Sequence, residues 1–283
     1  MIVGIDIGGS HITAALIKED IVKVVPGSLV RYHVQSQGIA GEILDIWAKT
    51  IKEIWVANDL AHTQIGIAMP GPFDYEEGIS LIHGTEKYEA LYEMNVRKPL
   101  ALRLGINPEL IRFRNDAASF LLGEMMGGAG IGFEDAIGIT LGTGLGSSVH
   151  HNKITNDAAR WSDPLFDGIA EDYISTRFFT KRYQQLSGAE IKDVRELAAR
   201  VETDEIATWV FQEFSKNLAL FLKQFIKDEQ PQVVIIGGNI ANAWDLFYPD
   251  LTRHLREELK TVEIKKAVLG EEAALIGGAC CWL

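Results

Sequence analysis

The chain has 283 residues, 47% hydrophobic and 23% charged, which suits a soluble globular protein of one large or two ordinary domains. A net charge of −12 argues against a nucleic-acid binder, which would show a basic face. The only cysteines, Cys280 and Cys281, are adjacent and cannot build a disulfide framework; with no leader-like N-terminus and no apolar run near the ~20 residues that span a bilayer, the expected setting is cytoplasmic.

The chain opens with an apolar run, Ile2–Ile17, broken at Gly8-Gly9-Ser10 and carrying one acid, Asp6. Two β-branched runs around a glycine pair predict a hairpin. A carboxylate inside a buried strand is costly unless it is paired or faces a cation. Glycines let backbone N–H groups approach an anion. Alone, the stretch reads equally as a buried hairpin or as a Mg²⁺ and phosphate site.

Residues 21–34 predict one or two strands with a Pro26-Gly27 turn. Ile39, Ile43, Leu44, Trp47, Ile51 and Ile54 recur at helical spacing over about 39–57. Gln64–Met69 is a strand ending in the Pro70-Gly71-Pro72 turn, and Ile79–Ile82 is another short run. Residues 88–105 predict a helix closed by Gly105. Ile111–Asp116 is a strand running into Asn115-Asp116, and a helix follows over Ala117–Met126. Strand-to-helix junctions are where ligands collect in α/β sheets. A helix N-cap would explain one of these two polar residues but not both.

After a Gly-rich linker, 127–132, the opening theme recurs as Gly138-Ile-Thr-Leu-Gly-Thr-Gly-Leu-Gly146. Gly4 meets Gly138, Gly8 meets Gly142 and Asp6 meets Thr140, an offset of 138 − 4 = 134 residues. A repeat at nearly half the chain predicts two related lobes with one Gly hairpin each. Such hairpins facing one another across a cleft would clamp a nucleotide tail. Residues 150–167 read as irregular. Ile169–Leu186 and Ile191–Val201 predict helices, followed by a longer one with Ile206, Val210, Phe214, Leu218, Phe221 and Phe225 on one face. That aromatic stripe reads as core or as a contact to a second copy. Gln232–Ile236 is a buried strand before Gly237-Gly238, and a small-residue helix with Gly277-Gly278 closes the chain. There is no Gly-Lys-Ser/Thr P-loop. Gly142–Gly146 is followed by strand rather than helix, against a dinucleotide fold. His150-His151 has no metal-ligand pattern around it.

Gly4-Ile-Asp-Ile-Gly-Gly-Ser10, Pro70-Gly-Pro72, Asn115-Asp116, Gly142-Thr-Gly-Leu-Gly146 and Ile236-Gly-Gly238 resemble, in order and rough spacing, the motifs of the ROK family of bacterial sugar kinases and repressors. The resemblance implies an α/β, two-lobed actin-like ATPase (ribonuclease H-like) fold with a mixed sheet in each lobe. It implies lobes at 1–117 and 118–269, with the closing helix, 270–283, able to pack back on the first. It implies ATP and Mg²⁺ as cofactors and a hexose as substrate, with no nucleic-acid or membrane partner. Asp6, Gly8, Gly9 and Ser10 would form the first phosphate motif, with Asp6 facing Mg²⁺ through water. Gly142, Thr143 and Gly144 would form the second, and Gly237 and Gly238 the adenosine motif. Asn115 would hold a sugar hydroxyl, and Asp116 would be the general base in γ-phosphoryl transfer.

The chain departs from the family after Val149. The usual Gly-Glu-Ile-Gly-His segment and zinc cluster are absent, so no zinc is expected. Gly168-Ile-Ala-Glu-Asp-Tyr-Ile-Ser175 resembles a later family segment and places Glu171 on its sugar-contacting glutamate. The Asn-Leu-Pro-Gly-Trp stretch is unrecognisable around His83–Leu91. A glucokinase-like hexose kinase is the leading expectation, with N-acetylated hexosamines and fructose open as substrates. A catalytically weak or inactive sugar-sensing member, pseudokinase or regulator, is the alternative. A repressor would carry a winged helix-turn-helix ahead of the first motif, where this acidic chain begins.

Overall fold

The computed structural model describes residues 1–84 and 87–283. The chain forms two compact units, Met1–Ile131 with Glu271–Leu283, and Gly132–Gly270. Each is α/β with a mixed sheet.

In the first unit the opening stretch is a hairpin, β1 (Ile2–Ile7) and β2 (His11–Lys18). The short β3 (Lys23–Val24) and β4 (Val30–His33) extend it antiparallel from β2. Helix α1 (Ala40–Ala57) buries Ile43, Leu44, Trp47, Ile51 and Ile54 of the face its periodicity predicts, while Ile39, placed on that face by sequence, is the exposed N-cap. Strand β5 (Gln64–Met69) pairs parallel with β1. After the Pro-Gly-Pro turn come a small hairpin, β6 (Phe73–Asp74) and β7 (Ile79–Ser80), and helix α2 (Arg97–Leu104). Strand β8 (Ile111–Asn115) joins β5 in parallel and runs directly into helix α3 (Asp116–Gly127).

The helix expected over 88–105 is confined to Arg97–Leu104. Upstream, Tyr88 and Glu93 have φ of 57° and 56°, which no helix accepts. Tertiary bonds impose this path: Tyr88 N–H donates to the Ser36 carbonyl at 2.7 Å, and Val96 N–H to that of Gly78 at 2.8 Å. Gly105 closes α2 in the left-handed region, as predicted.

The second unit repeats the plan. A hairpin, β9 (Ala136–Leu141) and β10 (Leu145–His151), pairs with β11 (Ile154–Asp157). The stretch expected to be irregular, 150–167, thus contains a strand, and it ends in another small pair, β12 (Pro164–Leu165) with β13 (Gly168–Ile169). Arg160 organises the loop between them: its guanidinium pairs with Asp163 at 2.6 Å and Asp228 at 2.9 Å and lies over the Phe225 ring. Helices α4 (Ala170–Ile174), α5 (Thr176–Ser187), α6 (Val194–Ala198) and α7 (Glu205–Glu229) follow. The predicted Ile169–Leu186 helix is therefore broken, at Ser175, whose backbone is extended. Val210, Phe214, Leu218, Phe221 and Phe225 are buried in this unit's core, so the α7 stripe is spent inside the unit and is no surface for a second copy. Strand β14 (Val233–Gly237) lies between β9 and β15 (Glu263–Lys266), parallel to both, with helix α8 (Trp244–His254) connecting them. Strand order is β3-β2-β1-β5-β8 in one unit and β11-β10-β9-β14-β15 in the other, with the same alternation of antiparallel and parallel pairs. The half-length sequence repeat is this repeated topology.

The chain then returns to the first unit as α9 (Glu272–Ala279), which lies on β1, β5 and α3 at backbone contact. A Cβ on Gly4 would fall 2.1 Å from the Leu275 carbonyl oxygen, and one on Gly277 would fall 1.8 Å from that of Ser119 in α3. The glycines are what let α9 settle so closely. Gly277→Ala should therefore destabilise the protein by roughly 1–3 kcal/mol, despite the ~1 kcal/mol that alanine gains in helix propensity. Chemical denaturation of the two proteins measures the difference.

His151 ends β10 between two acids, with Nδ1 2.8 Å from Asp135 and Nε2 3.1 Å from Glu229. Partial burial opposes the charged ring, but hydrogen bonds and charge from both carboxylates outweigh it and raise the His151 pKa above its usual 6.5. The stabilisation is fully present below about pH 6.5 and is lost as pH rises through the raised folded-state value. His151→Gln should flatten that part of the pH–stability curve, read by calorimetry from about pH 6 to 8.

Candidate active site

The first unit's candidate residues gather at the C-terminal ends of its parallel strands β1, β5 and β8. Asp6 stands one residue before the end of β1. In register across the sheet, Arg31, Thr13, Asp6, Ala68 and Arg114 form one row. Asp6 is two residues beyond Gly4, so the row lies on the face that α9 covers. Glu271, just ahead of α9, receives a two-pronged hydrogen bond from Arg31 Nη1, at 3.1 and 2.9 Å. Burial, then the charges of Asp116 and Glu271, push the Asp6 carboxyl up to about 7, against a smaller opposing pull from Arg31. A divalent cation fits this donor set. A carboxylate held up by burial and by neighbouring acids gains from a cation, and Mg²⁺ is met by one or two carboxylates with water and phosphate oxygens.

The β1–β2 turn is closed by Gly8 N–H donating to the His11 carbonyl at 2.9 Å. Gly8 and Gly9 are half-buried and Ser10 is exposed, its Oγ 2.8 Å from His11 Nδ1. From beneath, the buried Tyr88 donates its hydroxyl to the Gly8 carbonyl at 2.6 Å. Burial and the Asp6 charge raise the Tyr88 pKa, so it stays a donor.

At the end of β8 the two polar residues divide their work. Asn115 is the N-cap of α3: its Oδ1 accepts from Ala118 N–H at 3.0 Å, and its Nδ2 donates to the Tyr75 hydroxyl at 3.2 Å. Asp116 is the first residue of the helix, half-buried, with Oδ1 accepting from Ala117 N–H at 2.8 Å. Asp6 and Asp116 are close enough to repel through their charges.

In the second unit, the β9–β10 turn carries Gly142, Thr143 and Gly144. Nothing lies within 4 Å of a Cβ built on Gly142, and Thr143 is exposed. The turn is held from one side by the break between α4 and α5. Thr176 donates both its N–H, at 2.8 Å, and its hydroxyl, at 2.9 Å, to the Gly142 carbonyl. From another side Glu171 Oε2 accepts from Leu145 N–H at 3.0 Å, and a Cβ on Gly144 would meet that oxygen at 2.7 Å. Glu171 also lies 3.5 Å from Arg177. Here Glu171 braces the turn. At the end of β14, Gly237 pairs with Thr140. Gly238 has φ of 85°, and a Cβ there would lie 2.4 Å from the Leu141 carbonyl oxygen. Two constraints thus require glycine at 238, and the approach to Leu141 with the Gly237–Thr140 pairing brings the adenosine-motif candidates against the base of the Gly142 turn.

Sequence reasoning missed Arg31, Glu271, Tyr88 and Thr176. Each reaches its site through a long-range contact, and none stands in a local pattern that marks it.

The ROK family profile matches residues 2–157 and 166–283. The stretch left out, 158–165, falls in the segment after Val149 where the family's pattern is missing. The chain is 26% identical to the glucokinase of Thermotoga maritima, covering 98% of this chain and 96% of that one. It is 25% identical to the N-acetyl-D-glucosamine kinase of Photobacterium profundum, covering 99% and 98%. A ROK glucokinase from Streptomyces griseus, solved with glucose and AMPPNP, has the same fold, with a TM-score of 0.79 at 22% identity over 99% of this chain and 98% of that one.

Proposed function

The chain belongs to the ROK family, and we propose on that footing that it is an ATP-dependent sugar kinase, moving the γ-phosphoryl of ATP to a hexose hydroxyl. The observation that carries the reading is the division of labour at β8–α3. Asn115 caps the helix, so the carboxylate of Asp116 is not needed as the cap. A carboxylate at that junction has the chemistry of a general base. As the hydroxyl oxygen bonds to the γ-phosphorus, the bond from that phosphorus to the bridging oxygen breaks. ADP leaves with the bond's electrons, and the hydroxyl proton passes to Asp116.

Phosphoryl transfer asks little covalent work of a protein and much positioning. Asn115 orients a sugar hydroxyl through its amide, and Glu171, which also braces the Gly142 turn, is the second sugar-contact candidate. Gly8, Gly9 and Ser10 offer backbone N–H groups to phosphate oxygens, as do Gly142, Thr143 and Gly144. Gly237 and Gly238 leave room for adenosine. Mg²⁺ held by Asp6 through water would neutralise charge on the phosphate tail.

Glucose is the first substrate we assign, because a glucokinase is among the relatives and the motif set is glucokinase-like. N-acetylglucosamine follows from the other relatives, at similar identity. An ADP-coupled assay across glucose, mannose, fructose, N-acetylglucosamine and N-acetylmannosamine tests the proposal. ADP release dependent on one of these sugars supports it. Stabilisation by a sugar without ADP release would favour a sensor instead.

A further inference from the structure

We propose that Lys87 contacts the phosphate tail of the bound nucleotide, its ammonium supplying positive charge at the Gly8–Gly9 turn. The inference rests on the kinase reading above and adds a residue to it.

A Cβ built on Gly9 would lie 2.7 Å from Lys87 Nζ and 3.2 Å from Cδ and Cε. The lysine side chain therefore lies along the turn, with its charge at the residue that has no side chain. Its neighbour anchors the backbone beside it. Tyr88 is fully buried, packs edge-on against Trp47 at 5.9 Å, and donates its hydroxyl to Gly8 in the same turn. Tyr88 N–H is held by the Ser36 carbonyl. Lys87 thus leaves an anchor bound to the hairpin itself, while remaining exposed. An exposed lysine contributes little to the core, so its placement points outward.

The charge balance agrees. Asp6 near the end of β1, Asp116 at the start of α3 and Glu271 ahead of α9 stand together in a chain of net charge −12, a hostile approach for a triphosphate. Among the described residues Arg31 also acts on Asp6, in the sense that favours its ionised form, and it is paired with Glu271. A cation at Gly9 offsets the repulsion where the turn's N–H groups would meet phosphate oxygens. An ammonium is a compact charge with three donors, suited to oxygens whose orientation changes during transfer.

The test is titration calorimetry of the full chain with MgATP and with AMP, for wild type, Lys87→Met and Lys87→Arg, with steady-state kinetics beside it. Lys87→Met should weaken MgATP binding roughly 10- to 100-fold, lower kcat/KM for ATP in step, and leave AMP affinity, the KM for sugar and the melting temperature unchanged. Lys87→Arg should recover most of the loss. Wild-type MgATP affinity and kcat/KM in Lys87→Met overturn the assignment, as does an equal loss for AMP, which would mark a structural role. Wild-type protein that binds no MgATP overturns the kinase reading itself, and this inference with it.

Discussion

Asp116→Asn is expected to lower sugar-dependent ATP turnover by about 10²- to 10⁴-fold, the range that a positioned general base contributes. The substitution keeps the shape and removes the proton acceptor. The helix start should survive it, because Asn115 is the N-cap and stays in place. Melting temperature and the KM for sugar should therefore change little while kcat collapses. A loss confined to kcat means that the carboxylate acts in the transition state rather than in binding. Wild-type kcat in Asp116→Asn would remove this residue from the chemistry. Near-equal losses in kcat and stability would make it a helix-start residue and nothing more.

Asp6→Asn should make the protein more stable and nearly inactive. The Asp6 carboxyl is raised to about 7 from an ordinary 3.8, first by burial and then by Asp116 and Glu271. The sign is the reverse of a salt-bridged acid. Between about pH 4 and 7 the folded state holds a proton that the unfolded chain has released, so stability falls as pH rises through that window. Above it the cost of ionising this half-buried acid beside Asp116 and Glu271 is present, on the order of 2–4 kcal/mol. The amide removes that cost. Asp6→Asn should melt several degrees above wild type at pH 8 and level with it near pH 4. Mg²⁺ with ATP should stabilise wild type and fail to stabilise the variant. A variant that melts below wild type at pH 8 would mean that Asp6 already has its counter-charge within the protein.

The elements legible in the chain were those whose cause is local. The two Gly-broken hairpins, the amphipathic α1, the buried β14 and the Gly105 stop follow from patterns a few residues long, and each appears where its pattern lies. The duplication was legible because Gly4–Gly8 and Gly138–Gly142 repeat in sequence, and the repeated strand order is its consequence. The misreadings have distant causes. The interruption at Ser175 goes with Thr176 holding the Gly142 carbonyl, 34 positions away. The segment before α2 is bent by bonds to Ser36 and Gly78. Strand β11 was missed because its partner β10, rather than its own composition, makes it a strand.

The site divides in the same way. Asp6 and Asp116 stand out in sequence as acids at strand ends. Their electrostatic setting does not, because Glu271 reaches it from 240 positions beyond Arg31, and Tyr88 supports Gly8 from 80 positions away. The motif positions were therefore readable as candidates, while the brace on the Gly142 turn by Glu171 and the work of Asn115 as a cap emerge only in three dimensions.

If this chain phosphorylates a sugar with Asp116 as the base, mass spectrometry will show it: sugar phosphate is measured from ATP and each hexose, with wild type and Asp116→Asn side by side. Wild type should give one sugar phosphate per ADP with at least one hexose, and the variant a yield lower by about 10²-fold or more in the same time. No sugar phosphate from any hexose with folded, sugar-binding wild type, or equal yields from the two proteins, would contradict it.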